Sequence, residues 1–242
     1  MIRPKRLVQM LVNRTGWQVS RLSSYVEIAK MHAMEPEFLE LYERCKAYTM
    51  LGFERMYDLY VATRYIVRHG VEGSFVQCGV WKGGSAMLIA LTLDKMRTRR
   101  QMYLCDTYEG MAAPGPQDVD WTGRATLSKG DISSAMPDTM TNLLSTGYPE
   151  QYLHFVQGAV EDTIPAQTPD KIALLHLDTD FYSSTYHSLR FLYPKLSVSG
   201  VLAIDDYGGW RGAKQATDQY FEEQDLSLLM LKHGAGRIAL KV

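Results

Sequence analysis

The chain has 242 residues, of which 22% are charged, and its formal net charge is −1. A near-neutral chain without Lys/Arg clusters interleaved with aromatics excludes nucleic acid as the main partner. The sequence has no apolar stretch long enough to span a membrane, no signal-like segment, and three cysteines at wide spacings. These features predict a cytoplasmic protein without a membrane partner, built around one large core.

Helical patterns precede the main domain. Residues 1–30 lack sharp periodicity, and we interpret them as an extension or interaction arm. Residues 36–69 carry apolar side chains at three- and four-residue spacing, which predicts helix, and the segment 48–52 divides it in two. We therefore predict a helical extension over residues 1–70 and a main domain over 71–242. The arm and helices favour a homo-oligomer.

From residue 74 onward, short apolar runs alternate with helical patterns, which predicts an α/β fold with a mainly parallel sheet covered on both faces. The predicted strands are Ser74–Cys78, Gln101–Cys105, Leu153–Gln157, Ile172–Leu177 and Val201–Ile204, followed by an antiparallel pair at Leu226–Leu231 and Arg237–Val242. The predicted helices cover residues 85–95, 134–146, 184–192 and 214–223. The loop 107–131 is long for a compact domain, which indicates a lid or binding loop.

A glycine-rich turn follows the first predicted strand, in the segment Gly79-Val-Trp-Lys-Gly-Gly-Ser85. Such a turn lets the backbone approach a ligand closely, and the start of the next helix offers free N–H groups to an anion. The spacing matches neither the dinucleotide fingerprint nor the Walker pattern. Asp106 ends the second strand, where a carboxylate can accept hydrogen bonds from ribose hydroxyls. Taken alone, Asp106 would be a turn or helix-capping residue, but the glycine turn favours the ribose.

Four carboxylates stand at the ends of two apolar runs, Asp178 and Asp180 after one and Asp205 and Asp206 after the other. If the two strands are neighbours, these carboxylates converge, repel each other and require a positive partner. Oxygen-only ligation favours Mg²⁺, with Mn²⁺ or Ca²⁺ as alternatives. Asp180 could instead cap the following helix, but capping does not explain all four. His176, inside the fourth strand, is predicted to be a satisfied core histidine.

Six motifs follow one another along the chain: Thr49-Met-Leu-Gly52, Gly79-Val-Trp-Lys-Gly-Gly-Ser85, Asp106-Thr-Tyr-Glu-Gly110, Asp178-Thr-Asp-Phe-Tyr-Ser-Ser-Thr185, Leu192-Tyr-Pro-Lys-Leu196 and Asp205-Asp-Tyr-Gly208. In this order they resemble the macrocin O-methyltransferase (TylF-like) family, whose members methylate deoxysugar hydroxyls in macrolide and aminocoumarin biosynthesis. The resemblance covers roughly residues 45–225. It implies a sugar O-methyltransferase that acts on a glycosylated natural product of the antibiotic type.

The resemblance implies a class I S-adenosylmethionine (SAM) methyltransferase fold, a Rossmann-like seven-stranded sheet of order 3-2-1-4-5-7-6 with strand seven antiparallel. Residues 71–242 would form the methyltransferase domain, with SAM and Mg²⁺ as cofactors and a small-molecule glycosylated acceptor as partner. The implied metal ligands are Asp178, Asp205 and Asp206, and the implied general base is Asp180. The implied SAM-binding residues are Thr49, Met50, Gly79 and Ser85 at the methionine end, Asp106 at the ribose and Asp162 near the adenine.

One residue departs from the family pattern. Gln77 stands where the family commonly has Glu, two residues before the first motif glycine. If that Glu balances the SAM ammonium group, the affinity for SAM is expected to be lower in this chain.

Three other functions stay open. A catechol or another vicinal diol would chelate the metal equally well. Asp178-Thr-Asp180 is also a D-x-D motif, as in metal-dependent nucleotide-sugar glycosyltransferases, although the glycine turn and the second acidic pair argue against that class. A SAM-type fold retained for binding or assembly alone is favoured only by Gln77 and opposed by the intact set of aspartates.

Overall fold

Two helices precede the sheet in the computed structural model, which describes residues 34–242. Helix α1 covers Pro36–Cys45 and helix α2 covers Phe53–Arg68, with a 3-10 turn at Lys46–Tyr48 between them. The break lies where the sequence predicts it, because Gly52 is extended and α2 starts directly after it. The predicted arm, residues 1–30, lies outside the described residues. The predicted domain boundary between residues 70 and 71 stays a prediction.

The sheet has seven strands in the order 3-2-1-4-5-7-6, which confirms the predicted fold. The strands are β1 (Ser74–Cys78), β2 (Met102–Asp106), β3 (Leu153–Gln157), β4 (Ile172–Leu177), β5 (Leu196–Ile204), β6 (Leu231–His233) and β7 (Gly236–Leu240). The first five strands are parallel, and β7 runs antiparallel to both β5 and β6. The chain crosses over from β3 back to β4, beside β1, so the ends of β1 and β4 face a topological switch point, where open α/β sheets bind ligands.

Helices cover both faces of the sheet. The remaining helices are α3 (Gly84–Lys95), α4 (Met136–Leu144), α5 (Val160–Thr163), α6 (Tyr182–Leu192) and α7 (Arg211–Glu223). On one face, side chains of α6 and α7 pack against alternate residues of the central strands, such as Leu175 and Leu202. On the other face, α2 and α3 pack against the intervening residues of the same central strands, such as Gln77 and His176. Every residue of β4 is buried, which is why it reads as a continuous apolar run.

The bounds of several elements differ from the sequence-based expectation, including the start of α7, which is Arg211 rather than residue 214. Strand β5 begins at Leu196 rather than Val201, because its first half pairs through an irregular register in which Ser199 adopts a positive φ of 63°. The closing hairpin is shorter than predicted, since residues 226–230 lie outside the strand and partly pack on the core. Helix α6 begins two residues early, at Tyr182. Within residues 34–242, no helix is both long and apolar enough to cross a membrane.

Candidate active site

The turn between β1 and α3 brings main chain from three segments into close contact. Gly79 has a φ of +83°, and a Cβ atom at this position would collide with the carbonyl oxygen of Asp178 at the end of β4. A Cβ on Gly84 would lie 2.6 Å from the carbonyl carbon of Tyr48. Only glycine tolerates both the positive φ and the close approach at position 79. The two glycines therefore hold the segment before α2 and the end of β4 against the same turn.

The ends of β4 and β5 place three carboxylates together. Leu177 lies opposite Ile204 in the parallel ladder, so the next residues, Asp178 and Asp205, are neighbours. One carboxylate oxygen from each of Asp178, Asp205 and Asp206 lies within 4.8 Å of the other two. Such a group of hard oxygen donors has the composition and spacing that suit a divalent cation such as Mg²⁺. The predicted convergence of the strand ends is therefore present, and the donor set fits the metal that the sequence implies.

Burial and mutual repulsion disfavour the ionised forms of these carboxyl groups. The pKa of Asp178 is raised well above its usual value, first by desolvation and then by the charges of Asp205 and Asp206. Desolvation also raises the pKa of Asp206, and the Asp180 and Asp205 carboxylates raise it further. Asp205 has a raised pKa for the same first reason, although a neighbouring guanidinium opposes the shift. The site thus has a deficit of positive charge, which a bound cation would relieve.

Asp180 lies beside the other three carboxylates but is held differently. Its backbone N–H donates to Asp206 Oδ2 over 3.0 Å, and its φ is +60°. Burial raises its pKa to about 6, while hydrogen bonds from Asp206 and Trp210 act in the opposite direction. Asp180 does not cap α6, since the backbone N–H of Tyr182 donates instead to Asp118 in the long loop. The carboxylate of Asp180 is therefore not engaged by the helix and faces the cavity.

Two adjoining cavities meet at these residues. The first extends past the glycine turn toward Asp106 and the loop after β2. The second lies between the segment before α2 and the ends of β4 and β5. The residues that line both are Met50, Val80, Trp81, Ile132, Asp178 and Asp180. Asp180 and Asp178 thus stand at the junction, where a ligand in one cavity would meet a ligand in the other.

Three of the four residues predicted for the methionine end lie around the second cavity, whereas Gly79 lines the first. Thr49 and Ser85 line the second cavity, and Met50, 58% exposed, lines both cavities. Ser85 Oγ accepts a hydrogen bond over 2.8 Å from the side-chain amide of Gln77, which also donates to the carbonyl oxygen of Gly79. Gln77 thus uses its amide nitrogen to brace the glycine turn. A carboxylate could not donate these two bonds, so Gln77 has a bracing role that Glu could not reproduce in the same way.

Asp106 lies at the mouth of the first cavity, and its carboxylate also organises the turn. Oδ2 accepts from the backbone N–H groups of Val80 at 2.6 Å and Trp81 at 3.0 Å, and Oδ1 accepts from Tyr108 N at 2.8 Å. Thr107 Oγ1 also lies 3.5 Å from Oδ1, but it donates its one proton to Gly110 O over 2.7 Å. Because a carboxylate has about four acceptor positions, one remains for a ribose hydroxyl. Asp106 therefore stabilises the turn and can still accept a hydrogen bond from a ribose. The sequence left these two roles as alternatives.

The structure does not bring Asp162 to the cavities. Asp162 lies in α5 and is exposed, whereas its neighbours Ala159, Val160 and Glu161 line the first cavity. Its backbone N–H donates to Ala159 O, as expected in a short helix. The implied role of Asp162 near an adenine stays a prediction, and the surface available there is contributed by the residues before it.

Two residues that contribute to the site are not among those that the sequence predicts. Arg55, in the first turn of α2, forms an ion pair with Asp205, and Arg55 also lines the second cavity. Asp118 is 3% exposed and fixes the long loop to the start of α6 and to Gly115. The four carboxylates signal that some cation is needed, but nothing in the sequence selects Arg55, which is 150 residues from Asp205.

Fold and site together define a class of protein. The sheet order, the glycine turn after β1 and the acidic residue after β2 are those of SAM-type α/β methyltransferase folds, and solved methyltransferases superpose on the chain. The O-methyltransferase NovP matches with a TM-score of 0.73 at 26% identity, covering 81% of this chain and 82% of NovP. The calicheamicin methyltransferase CalS11 matches with a TM-score of 0.65 at 19% identity, covering 86% and 93% of the two chains, which supports the fold alone.

The particular family follows from the sequence comparison. The family model for macrocin-O-methyltransferase (TylF) matches residues 35–232, so the chain belongs to this family, as the motifs predict. Demethyldecarbamoylnovobiocin O-methyltransferase of Streptomyces niveus is 28% identical over 184 residues, which cover 75% of this chain and 70% of that protein. The 8-demethyl-8-(2,3-dimethoxy-alpha-L-rhamnosyl)-tetracenomycin-C 4'-O-methyltransferase of Streptomyces olivaceus is 32% identical over 164 residues, 66% of this chain and 63% of that protein.

Proposed function

We propose that the protein is a SAM- and divalent-metal-dependent O-methyltransferase that methylates a sugar hydroxyl of a glycosylated natural product. The observation that carries the proposal is the junction of the two cavities. There the oxygens of Asp178, Asp205 and Asp206 lie within 4.8 Å of one another, beside the glycine turn and Asp180. The two relatives are O-methyltransferases of demethyldecarbamoylnovobiocin and of a rhamnosyl-tetracenomycin, which favours an antibiotic-type glycoside as the acceptor.

The first cavity suits SAM. The glycine turn lines it through Gly79, Val80 and Trp81, and Asp106 keeps an acceptor position for a ribose hydroxyl. The methionine end is assigned to Thr49, Met50, Gly79 and Ser85, so that it would extend past the glycine turn from the first cavity into the second, and the ribose is assigned to Asp106. When bound there, SAM supplies an electrophilic methyl group on a sulfonium.

The metal ligands are assigned to Asp178, Asp205 and Asp206. A bound divalent cation lowers the pKa of a hydroxyl group that contacts it and fixes its orientation. A vicinal diol of a sugar has the two hydroxyls that such a site would orient. The three carboxylates directly follow β4 and β5, so the sheet would position the metal, and with it the acceptor, relative to SAM.

Asp180 is assigned as the general base. It lines both cavities, so its carboxylate lies where the acceptor hydroxyl would meet the methyl donor. In the metal-free site its pKa is raised to about 6. A general base is most effective when its pKa lies near the working pH, and this value is close to neutral. The hydrogen bond from Trp210 stabilises the ionised carboxylate of Asp180, which is the form that accepts a proton.

The test is a methylation assay with SAM, using methyl α-L-rhamnopyranoside and catechol as acceptors in parallel. We expect a mass gain of one methyl group on the rhamnoside, loss of the product in EDTA, and recovery when Mg²⁺ is added. Methylation of catechol alone would favour the vicinal-diol alternative. Calorimetric titration that detects no SAM binding would contradict the proposal, and activity unaffected by EDTA would remove the metal from it.

A further inference from the structure

The acidic cluster has a permanent cationic neighbour. Arg55 reaches from the first turn of α2 to Asp205, and its Nη1 atom is paired with Asp205 Oδ2. The side chain of Arg55 is 24% exposed and that of Asp205 8%, so the pair is largely removed from water. An ion pair in this setting is stronger than one on the surface, because solvent screens it less.

The guanidinium acts on the whole cluster. Arg55 lines the second cavity together with all four carboxylates, those of Asp178, Asp180, Asp205 and Asp206. The ionised cluster carries four negative charges, and Arg55 offsets only one of them. A divalent cation would offset two more and leave a single negative charge.

Arg55 also contacts a carboxylate that a metal would use. Its guanidinium is paired with Oδ2 of Asp205, and Asp205 is one of the three residues whose oxygens converge. A cation that binds all three residues would therefore share the Asp205 carboxylate with Arg55. It must also approach a fixed positive charge, which repels it.

We infer that Arg55 is a resident counter-cation that competes with the divalent cation for Asp205 and sets the metal affinity of the site. The inference rests on the proposed metal-dependent function. In the metal-free protein, Arg55 stabilises the clustered carboxylates. In the metal-bound protein, the same charge weakens binding, so that the metal is held less tightly than by three carboxylates alone.

The test compares metal binding by the full chain and its Arg55→Gln variant, after EDTA treatment and at fixed ionic strength. Isothermal titration with Mg²⁺ and with Mn²⁺ gives the dissociation constants. We expect Arg55→Gln to bind either ion about tenfold more tightly, since a like charge close to the ion has been removed. Arg64→Gln is the matched control: Arg64 is on the same helix, contacts Tyr60 and lines neither cavity, so its loss should not change the affinity.

A second readout separates competition from simple support of the fold. The metal-free Arg55→Gln protein should unfold at a lower temperature than the wild type, and saturating Mg²⁺ should remove most of this difference. If Arg55→Gln does not fold, Arg55→Lys is titrated instead; it keeps the charge but not the planar fork and should bind Mg²⁺ about threefold more tightly.

The outcomes distinguish the two proposals. Unchanged or weaker metal binding by the Arg55 variants, with normal binding by the wild type, contradicts the role of Arg55. A wild-type protein that binds neither Mg²⁺ nor Mn²⁺ at millimolar concentration contradicts the metal dependence itself.

Discussion

At the scale of single residues, the four carboxylates have distinct surroundings. Asp178, Asp205 and Asp206 form the group with converging oxygens, while Asp180 is tied to Trp210 and lies at the junction of the cavities. Two carboxyl groups in different environments can serve as ligand and as base within one site. The division matters because it predicts different effects for substitutions only two residues apart.

Asp180→Asn should separate proton transfer from binding. Asn keeps the shape of the side chain but cannot accept a proton, so methyl transfer should fall about 100-fold or more. Calorimetric titration should give a SAM affinity near that of the wild type and Mg²⁺ binding that survives, although it is weakened by the loss of one nearby negative charge. Exposed Asp170, changed to Asn, is a control for loss of one negative charge. If Asp180→Asn keeps full turnover, the base is another group.

Gly79→Ala should destabilise the protein more than an ordinary glycine substitution. Gly147 has a φ of +81°, close to the +83° of Gly79, but a Cβ on Gly147 meets no atom within 4 Å. Gly147→Ala should therefore lose about 1 kcal/mol of unfolding free energy from backbone strain alone. Gly79→Ala should lose about 2 kcal/mol beyond that, because the new methyl group meets the main chain of Asp178. Urea denaturation of the two variants measures the difference, and equal losses would contradict the close approach.

At the scale of elements, the sequence predicts what local patterns specify. The buried strand β4 and the strand β3 are found at their predicted bounds, because an apolar run and its flanking residues specify them locally. Strand β5 does not start at its predicted residue, because its first half depends on an irregular pairing with β4 and on contacts with β7. The site follows the same rule. The convergence of strand ends is predictable from a parallel sheet, whereas the Arg55–Asp205 pair is a contact between distant segments.

The long loop after β2 illustrates the same limit. Its length and composition predict a lid or binding loop, and part of it lines the first cavity. Its buried Asp118, which accepts from Tyr182 N at 2.7 Å, and its Trp121, which donates to Gly208 O, join it to segments distant in sequence. These contacts depend on the assembled fold. The methylation assay determines which acceptor this loop selects.

Strand β4 also contains a group that links stability to pH. His176 is buried as predicted, but within the described residues its Nδ1 atom has no hydrogen-bond partner, so it is not the satisfied histidine that we expected. Burial, aided by the charge of Arg55, lowers its pKa to about 3 from a usual value of 6.5. Between these pH values the unfolded chain binds a proton that the folded chain does not. Stability is therefore lost as the pH falls below 6.5, by about 1.4 kcal/mol per pH unit from this group alone.

His176→Leu should remove that contribution. The unfolding free energy of the variant, measured with urea in EDTA at pH 7, 6, 5 and 4, should depend less steeply on pH than that of the wild type. The difference between the two slopes should approach one proton below pH 6. Parallel profiles would show that His176 is protonated in the folded protein, or that its titration is compensated by a neighbour.

At the scale of the whole molecule, the fold concentrates unfavourable charge at one edge of the sheet. The core between the strands and α6 and α7 is apolar, whereas Asp205 and Asp206 are less than a tenth exposed at the strand ends. Proteins commonly keep such destabilising groups where function requires them. The predicted homo-oligomer and the predicted domain boundary near residue 70 stay predictions.

Asp206→Asn should therefore stabilise the metal-free protein while weakening its response to metal. Asn has the same shape, its oxygen can still accept from Asp180 N, and it removes one of the repelling charges. In EDTA at pH 7.5 we expect an unfolding free energy about 1–2 kcal/mol above that of the wild type, as when buried charges are neutralised without loss of packing. Added Mg²⁺ should raise the thermal midpoint of the wild type, because it binds only the folded state, and should have little effect on the variant. Asp170→Asn, which removes a charge from the surface, should show neither effect. A variant that is less stable than the wild type in EDTA would mean that the Asp206 carboxylate stabilises the fold. It would also mean that Arg55 already offsets the repulsion among the carboxylates.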